Sequence, residues 1–404
     1  MNMLQKLSKI RFILVAILLA FLPFSSWLVS LTGIVEISLF RDIIVLISLA
    51  ISLFLLKKQE LKAPVLALVL AYCLWVMLSF FWREASDLQW LRGAHFAITP
   101  FAFLLVVWFA KFEKKEKEIL YKIVFWAGMM VILFAILELL GVKLPMVMWG
   151  EGIGTLDSQH FVGQTGIERL QSILAGPNAL GLYLLAIVSY VLGFGGPKNR
   201  WWLSAIIIFV LVLTFSRSAL LGLFVALFVL IAMKVKTGKT NRKTLWLAIS
   251  VSIVAVVLAV FLYRFDSVKQ LIWHDSSSSL RLEQASRVWN SRAEIGLTGR
   301  GAGAAGLSSQ NRLDSGPNRW TENTYLDVFE EFGYVGVVLY LVLLATALGL
   351  AVRNISTKDG RVALYILSGF ITAGLFINFY TGQAGFFLLC LAIGMLNSKM
   401  EIEK

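Results

Sequence analysis

The sequence predicts an all-α, polytopic membrane protein of about twelve transmembrane helices with one large, partly helical loop on the outer side. Three observations carry that prediction. Of the 404 residues, 58% are hydrophobic and only 15% charged, against roughly 25% charged in an average soluble domain. A mean hydropathy of +0.79 leaves too little polar surface to cover a water-soluble globule, which excludes a cytosolic enzyme. The apolar residues gather in runs suited to a hydrocarbon core of about 30 Å, and Lys and Arg are distributed unevenly between alternate connections.

The runs fall near 12–32, 34–57, 63–82, 91–111, 119–140, 176–196, 201–216, 218–235, 245–263, 334–352, 362–379 and 383–397. The first follows Lys6, Lys9 and Arg11 and has the form of a signal peptide. No small-residue cleavage site follows Phe24-Ser25-Ser26-Trp27, so it reads as a retained signal anchor. The seventh and eighth runs are split only by a polar stretch containing Thr214, Ser216, Arg217 and Ser218. The chain thus divides into nine spans over 1–263 with an outer loop at 141–175, a long loop at 264–333, and three spans with a tail over 334–404.

With the N-terminus inside, the inside connections collect 23 Lys and Arg. The outside holds 14, eight of them in 264–333, and loops of that length translocate largely regardless of charge. Both termini are therefore expected to be cytoplasmic. The net charge of +13 is largely a topology signal, and no nucleic-acid partner is expected. Cys73 and Cys390 lie far apart inside apolar runs and suggest neither a disulfide framework nor a thiolate metal site.

Candidate chemistry begins at Arg217, a guanidinium at the outer edge of two nearly contiguous apolar runs. Such a group either snorkels to headgroups or serves a functional site. In the long loop, 281–292 has a helical period with Leu282, Ala285, Val288 and Trp289 on one face. Arg281, Arg287 and Arg292 are there either a solvated face or part of a site. Gly299-Arg300-Gly301-Ala302-Gly303-Ala304-Ala305-Gly306 has the form G-x-G-x-x-G. It follows a helix and not a strand, so it reads as a tight turn where backbone approaches backbone or ligand. Thr321, as N-cap, and Gly333, as the residue after the C-cap, bound a short surface helix whose first turn holds Glu322. His95, His160 and His274 lack metal-ligand spacing, and no metal site is expected.

In this order the motifs resemble those of the O-antigen ligase and O-antigen polymerase superfamily, multi-span glycosyltransferases of the bacterial inner membrane. Gly176-Pro177-Asn178-Ala179-Leu180-Gly181 is similar to that family's proline-asparagine motif, and Thr214-Phe215-Ser216-Arg217-Ser218 to its serine-arginine motif. Arg281 stands 18 residues before Gly299, as the family's loop arginine precedes its Gly-rich turn. Glu322-Asn323-Thr324-Tyr325-Leu326 followed by Phe332-Gly333-Tyr334-Val335-Gly336 is similar to the terminal motif. The likeness covers roughly 170–340; where ligases of the family carry histidine before Asn-Thr-Tyr-Leu, this chain carries Glu322.

The resemblance implies a metal-independent, inverting transfer of a glycan from undecaprenyl diphosphate to a hydroxyl of a growing polysaccharide or a lipid A core. The large loop would be periplasmic and the site would sit at the periplasmic face. Arginine suits a leaving diphosphate because its planar fork binds phosphate oxygens bidentately and stays charged. Arg217 and Arg281 are assigned to the diphosphate and Glu322 to the base that activates the acceptor. Arg287, Asn178, Asn323 and Tyr325 complete the expected substrate contacts. No cofactor is called for, and the partners are the lipid-linked glycan, the acceptor and membrane lipid. The competing class is a flippase of the same lipid-linked sugar. Flippases typically show internal repeats and polar helices near mid-membrane, whereas charge here sits at span ends beside one asymmetric loop. A non-catalytic assembly partner is the third reading.

Overall fold

The computed structural model describes residues 3–34, 37–56, 63–142, 168–194, 200–236, 275–309, 314–379 and 383–397, and these form an all-helical protein. Helix α1 (Met3–Phe21) passes through a 3-10 turn (Leu22–Phe24) into α2 (Ser25–Thr32). It is followed by α3 (Ile37–Phe54), α4 (Pro64–Leu78) with a 3-10 turn over Ser79–Phe81, α5 (Asp87–Ala110) and α6 (Lys114–Leu139). Next come α7 (Pro177–Phe194), α8 (Arg200–Leu213) and α9 (Arg217–Lys236), then α10 (Asp275–Asn290), α11 (Arg292–Ile295) and α12 (Gly306–Ser309). The chain closes with α13 (Thr324–Arg353), α14 (Lys358–Ala373) and α15 (Gln383–Met395).

Helix starts follow local chemistry. Ser86 caps α5 by accepting from the Gln89 amide, Thr357 caps α14 by accepting from the Gly360 amide, and Glu113 and Glu116 form a reciprocal capping box on α6. Pro64 opens α4, where its missing N–H costs nothing.

Six helical stretches among the described residues are long and apolar enough to cross a membrane: Met3–Thr32, Pro64–Phe81, Asp87–Ala110, Lys114–Leu139, Pro177–Phe194 and Thr324–Arg353. Trp202–Leu213, Arg217–Met233 and Ala384–Met395 are shorter apolar helices. Every expected run has a helix on it except 245–263, which lies outside the described residues, as does most of 141–175 and the start of 264–333.

The core is a central group formed by α5, α7, α14 and α15, with α7 packed against both α14 and α15, and α5 against α15. Helix α9 lies against α14 so closely that a Cβ on Gly222 would sit 2.5 Å from the Gly369 carbonyl oxygen. Around the core, α1, α3, α4, α8 and α9 turn Ile13, Leu46, Leu74, Phe209 and Phe228 outward. A ring of exposed aliphatic and aromatic side chains on a helical bundle is a lipid-facing belt, and the chain is a membrane protein.

The two ends of the bundle are chemically distinct. At one, Asp359 accepts from Lys117 Nζ at 2.7 Å and from the Tyr121 hydroxyl at 2.6 Å. Arg11 there donates to the Ala110 carbonyl at 3.2 Å. All of these flank connections expected to be cytoplasmic. At the other end, the Ser86 amide donates to Asp314, the Leu170 amide to the Leu213 carbonyl and Asn323 Nδ2 to the Leu375 carbonyl. The connections expected to be outside thus meet one another.

One expectation about 321–333 needs correction. The N-cap is Asn323, whose side-chain oxygen accepts from the amides of Tyr325 and Leu326, while Thr321 instead donates its hydroxyl to Asp327 at 2.7 Å. The short helix does end at Gly333, as the sequence predicts. Gly333 takes the non-helical φ 65° and ψ −165°, and the tenth span follows directly as a second helix across that kink, the two together being labelled α13.

Candidate functional site

The amides and carbonyls freed at the Gly333 kink are met by the Gly-rich segment. Arg300 and Gly301 donate their amides to the Glu330 and Glu331 carbonyls at 3.0 and 2.8 Å, and the Tyr334 and Val335 amides reach the Gly296 and Leu297 carbonyls. Gly303 presses on α5: a Cβ on Gly93 would lie 2.1 Å from the Gly303 nitrogen. The G-x-G-x-x-G segment is therefore a backbone-on-backbone turn that fastens the loop to α13 and α5.

A salt-bridge network surrounds that turn. Arg300 donates to Glu84 at 2.6 Å and to Glu294 at 2.9 Å, and Arg319 pairs with Glu84 as well. Burial by itself raises the Glu84 pKa, but hydrogen bonds and charge from Arg319 and Arg300 outweigh it and hold the carboxyl below its ordinary range. Arg287 belongs to this network, donating to Glu330 at 3.1 Å.

Arg217 opens α9. Two short apolar helices are joined by a turn in which Phe215 adopts a left-handed φ of 49° and Thr214 holds its hydroxyl on the Leu211 carbonyl at 2.7 Å. A cation in the first turn of a helix opposes the macrodipole, so helix stability does not account for it. Glu322 stands immediately before the Asn323 cap. Its backbone amide donates to Gln284 Oε1 at 3.1 Å, and its carboxylate receives Arg281 Nε at 2.6 Å and a second contact from Arg281 Nη2. Arg281 and Gln284, three apart on α10, thereby dock that helix onto the start of α13. With 23% and 14% of their side chains exposed, Arg281 and Glu322 are sheltered yet open to a ligand.

Arg217 lies within electrostatic reach of both Arg281 and Glu322. A fourth member, Arg169, was not singled out in the sequence. Its Nε donates to the Thr214 carbonyl and its Nη2 to Asn178 Oδ1, each at 2.9 Å. Burial pushes the Arg169 pKa down to about 10. Glu322 opposes that shift, and Arg281 and Arg217 add to it. One available signal is the scarcity of basic residues on the expected outer side apart from the long loop, where Arg169 stands just ahead of Pro177-Asn178.

The remaining expected contacts divide. Asn178 reaches the cluster through Arg169. Asn323 caps α13 and donates to the Leu375 carbonyl at 2.9 Å, and the Tyr325 hydroxyl donates to the Ile371 carbonyl at 2.7 Å, so both fix the α13–α14 junction. Asp327 is buried beneath them, accepting from Thr321 and Asn378. Among the described residues no group of three or more His, Cys, Asp and Glu could hold a metal ion.

No curated protein matches the chain. Residues 202–341 match the family model described as O-antigen ligase, a stretch that contains Arg217, Arg281 and Glu322, the three charged groups that α9, α10 and the start of α13 bring into electrostatic contact. Over those residues, about a third of its length, the chain is similar to the O-antigen ligase family.

Proposed function

We propose that this protein is a membrane glycosyltransferase that moves a glycan from undecaprenyl diphosphate onto an acceptor hydroxyl at the periplasmic face of the inner membrane. The observation that carries the reading is the grouping of Arg217, Arg281 and Glu322 at one end of the apolar bundle. A polyprenyl tail needs lipid and its diphosphate needs cations, and both are at hand where a charged cluster meets span ends.

In the proposed step the acceptor oxygen attacks the anomeric carbon as the bond from that carbon to the phosphate oxygen breaks. The configuration inverts, and undecaprenyl diphosphate leaves with the bonding pair. Glu322 takes the acceptor's proton, and Arg217 and Arg281 oppose the charge that grows on the leaving diphosphate. The pairing of Glu322 with Arg281 suits this division, because a diphosphate competes for the same guanidinium and frees the carboxylate.

The test is reconstitution of the purified chain in lipid with a defined undecaprenyl-diphosphate glycan and either a lipid A core or a second glycan as acceptor. Transfer with release of undecaprenyl diphosphate is expected. Net flipping of the lipid-linked glycan with no transfer would overturn the reading in favour of a transporter.

A further inference from the structure

The loop helix α10 does not bury the whole of its apolar side. Leu282, Ala285, Val288 and Trp289 share a face by period, but the structure divides them. The side carrying Arg281, Gln284 and the buried Val288 docks on the start of α13, with Arg281 and Gln284 both bonded to Glu322. Leu282 and Trp289, about two turns apart, form a neighbouring edge that stays 73% and 64% exposed. Beyond that edge come Glu283 and Asn290, also exposed. An indole and a leucine held outward on one edge of a polar helix mark a contact surface.

What meets that edge follows from where the loop leads. Arg292 donates to the Trp289 carbonyl at 2.8 Å, and its guanidinium lies over the Trp289 ring, 5.0 Å from the centroid. Past α11 comes Leu297, whose side chain is exposed and whose carbonyl accepts from the Val335 amide at 3.2 Å in the first turn of the tenth span. From that turn Tyr334, Val338, Leu341 and Val342 recur at helical spacing, all of them exposed, as part of the lipid-facing belt. Leu297 therefore stands at the head of a face that lipid covers. A second element marks the same level: the Trp82 indole donates to the Thr298 carbonyl at 3.1 Å, and Trp82, beside the exposed Phe81, closes the apolar run 63–82. Tryptophan gathers where hydrocarbon gives way to headgroups.

We propose that the Leu282–Trp289 edge of α10, together with Leu297, is an interfacial membrane anchor that rests in the phospholipid surface at this end of the bundle. An arginine over an indole suits that depth, because the ring meets the apolar boundary and the cation meets the lipid phosphates. The helix is then held by protein on its docked side and by lipid along its edge, which sets the height of Arg281 relative to the bilayer. The inference uses the lipid-facing belt alone, so it is independent of the reaction proposed for the site and of which way the chain crosses the membrane.

The experiment uses the full chain, lacking Cys73 and Cys390, in nanodiscs of phosphatidylethanolamine and phosphatidylglycerol. Single cysteines carry a nitroxide, and its accessibility is read to oxygen, which concentrates in lipid, and to a water-soluble nickel chelate. Val338→Cys supplies the lipid-facing reference, and Glu283→Cys and Asn290→Cys supply the water-facing ones. The labels at Leu282→Cys, Trp289→Cys and Leu297→Cys are expected to meet oxygen in excess of the chelate, as the Val338→Cys label does, while those at Glu283→Cys and Asn290→Cys show the reverse. If Trp289→Cys fails to fold, Leu282→Cys and Leu297→Cys carry the test. Edge labels as open to the chelate as the Glu283→Cys label show a face bathed in water and overturn the anchor. Edge labels shielded from both agents show a face covered by protein and overturn it as well; shielding that is lost on dilution would name a second copy of the chain as the cover.

Discussion

Arg281 and Glu322, 41 residues apart in the chain, form an ion pair in which Arg281 Nε donates to Glu322 Oε2 at 2.6 Å. The pair ties the loop helix α10 to the cap of α13 and places the proposed base against a proposed phosphate ligand. Arg217→Ala and Arg281→Ala should each lower transfer by about two decades or more, since a charged hydrogen bond to a developing oxyanion contributes about 3 kcal/mol to the barrier. Lysine should restore little, because a point charge does not reproduce the planar fork. Initial rates on reconstituted variants check this, and full activity in either alanine variant removes that residue from the site.

For Glu322 the informative change is Glu322→Gln, which keeps shape and hydrogen bonding but takes no proton. Turnover should fall by roughly 10²–10⁴ with farnesyl diphosphate binding little altered. Glu322→His, the residue usual in the ligases the chain resembles, should retain part of the rate. A Gln variant turning over at the wild-type rate with saturating acceptor ends the base assignment.

The kink at Gly333 predicts a stability effect. Its φ of 65° with ψ −165° is a region that essentially only glycine occupies, and an added Cβ would lie 2.4 Å from the Leu297 carbonyl oxygen. Gly333→Ala should cost at least about 1–3 kcal/mol from strain alone, read as a lower midpoint for thermal unfolding in detergent. The midpoint should fall less for Gly349→Ala, where nothing lies within 4 Å of an added Cβ.

Glu84 makes the docking of the Gly-rich turn sensitive to acid. Its folded pKa is depressed, so its pairing with Arg300 and Arg319 stabilises the protein above the unfolded pKa and the contribution is lost as pH falls through the folded value. Thermal unfolding followed from neutral pH down to about pH 4 should show a wild-type midpoint that drops more steeply than that of Glu84→Gln. Parallel curves would show that the pairing contributes nothing to stability.

The proposed topology is checked with single cysteines in a background lacking Cys73 and Cys390. Ser315 and Ser356 are both exposed and sit at opposite ends of the bundle. An impermeant thiol reagent should label Ser315→Cys in intact cells and Ser356→Cys only after lysis. The reverse pattern inverts the orientation.

By itself the sequence determined that this is a helical membrane protein, where most of its described helices lie, and that Arg217 stands at a span end and Arg281 and Glu322 in the long loop, among motifs similar to those of one family. Those properties are local: hydropathy, caps such as Ser86 and Thr357, and short motifs are written in consecutive residues. Only the tertiary structure decided which charges share a site. Arg287, six residues from Arg281 on α10, turns to Glu330 in the network of the Gly-rich turn, while Arg169, more than 100 residues from Arg281, enters the cluster. The physical reason is that a charge run specifies a helix face but not what that face meets. The meeting depends on how α7, the α8–α9 turn and α10 converge on the start of α13. The same holds for Thr321 and Asn323, both sound N-caps by residue type; the buried Asp327 takes the hydroxyl of Thr321, and the cap falls to Asn323.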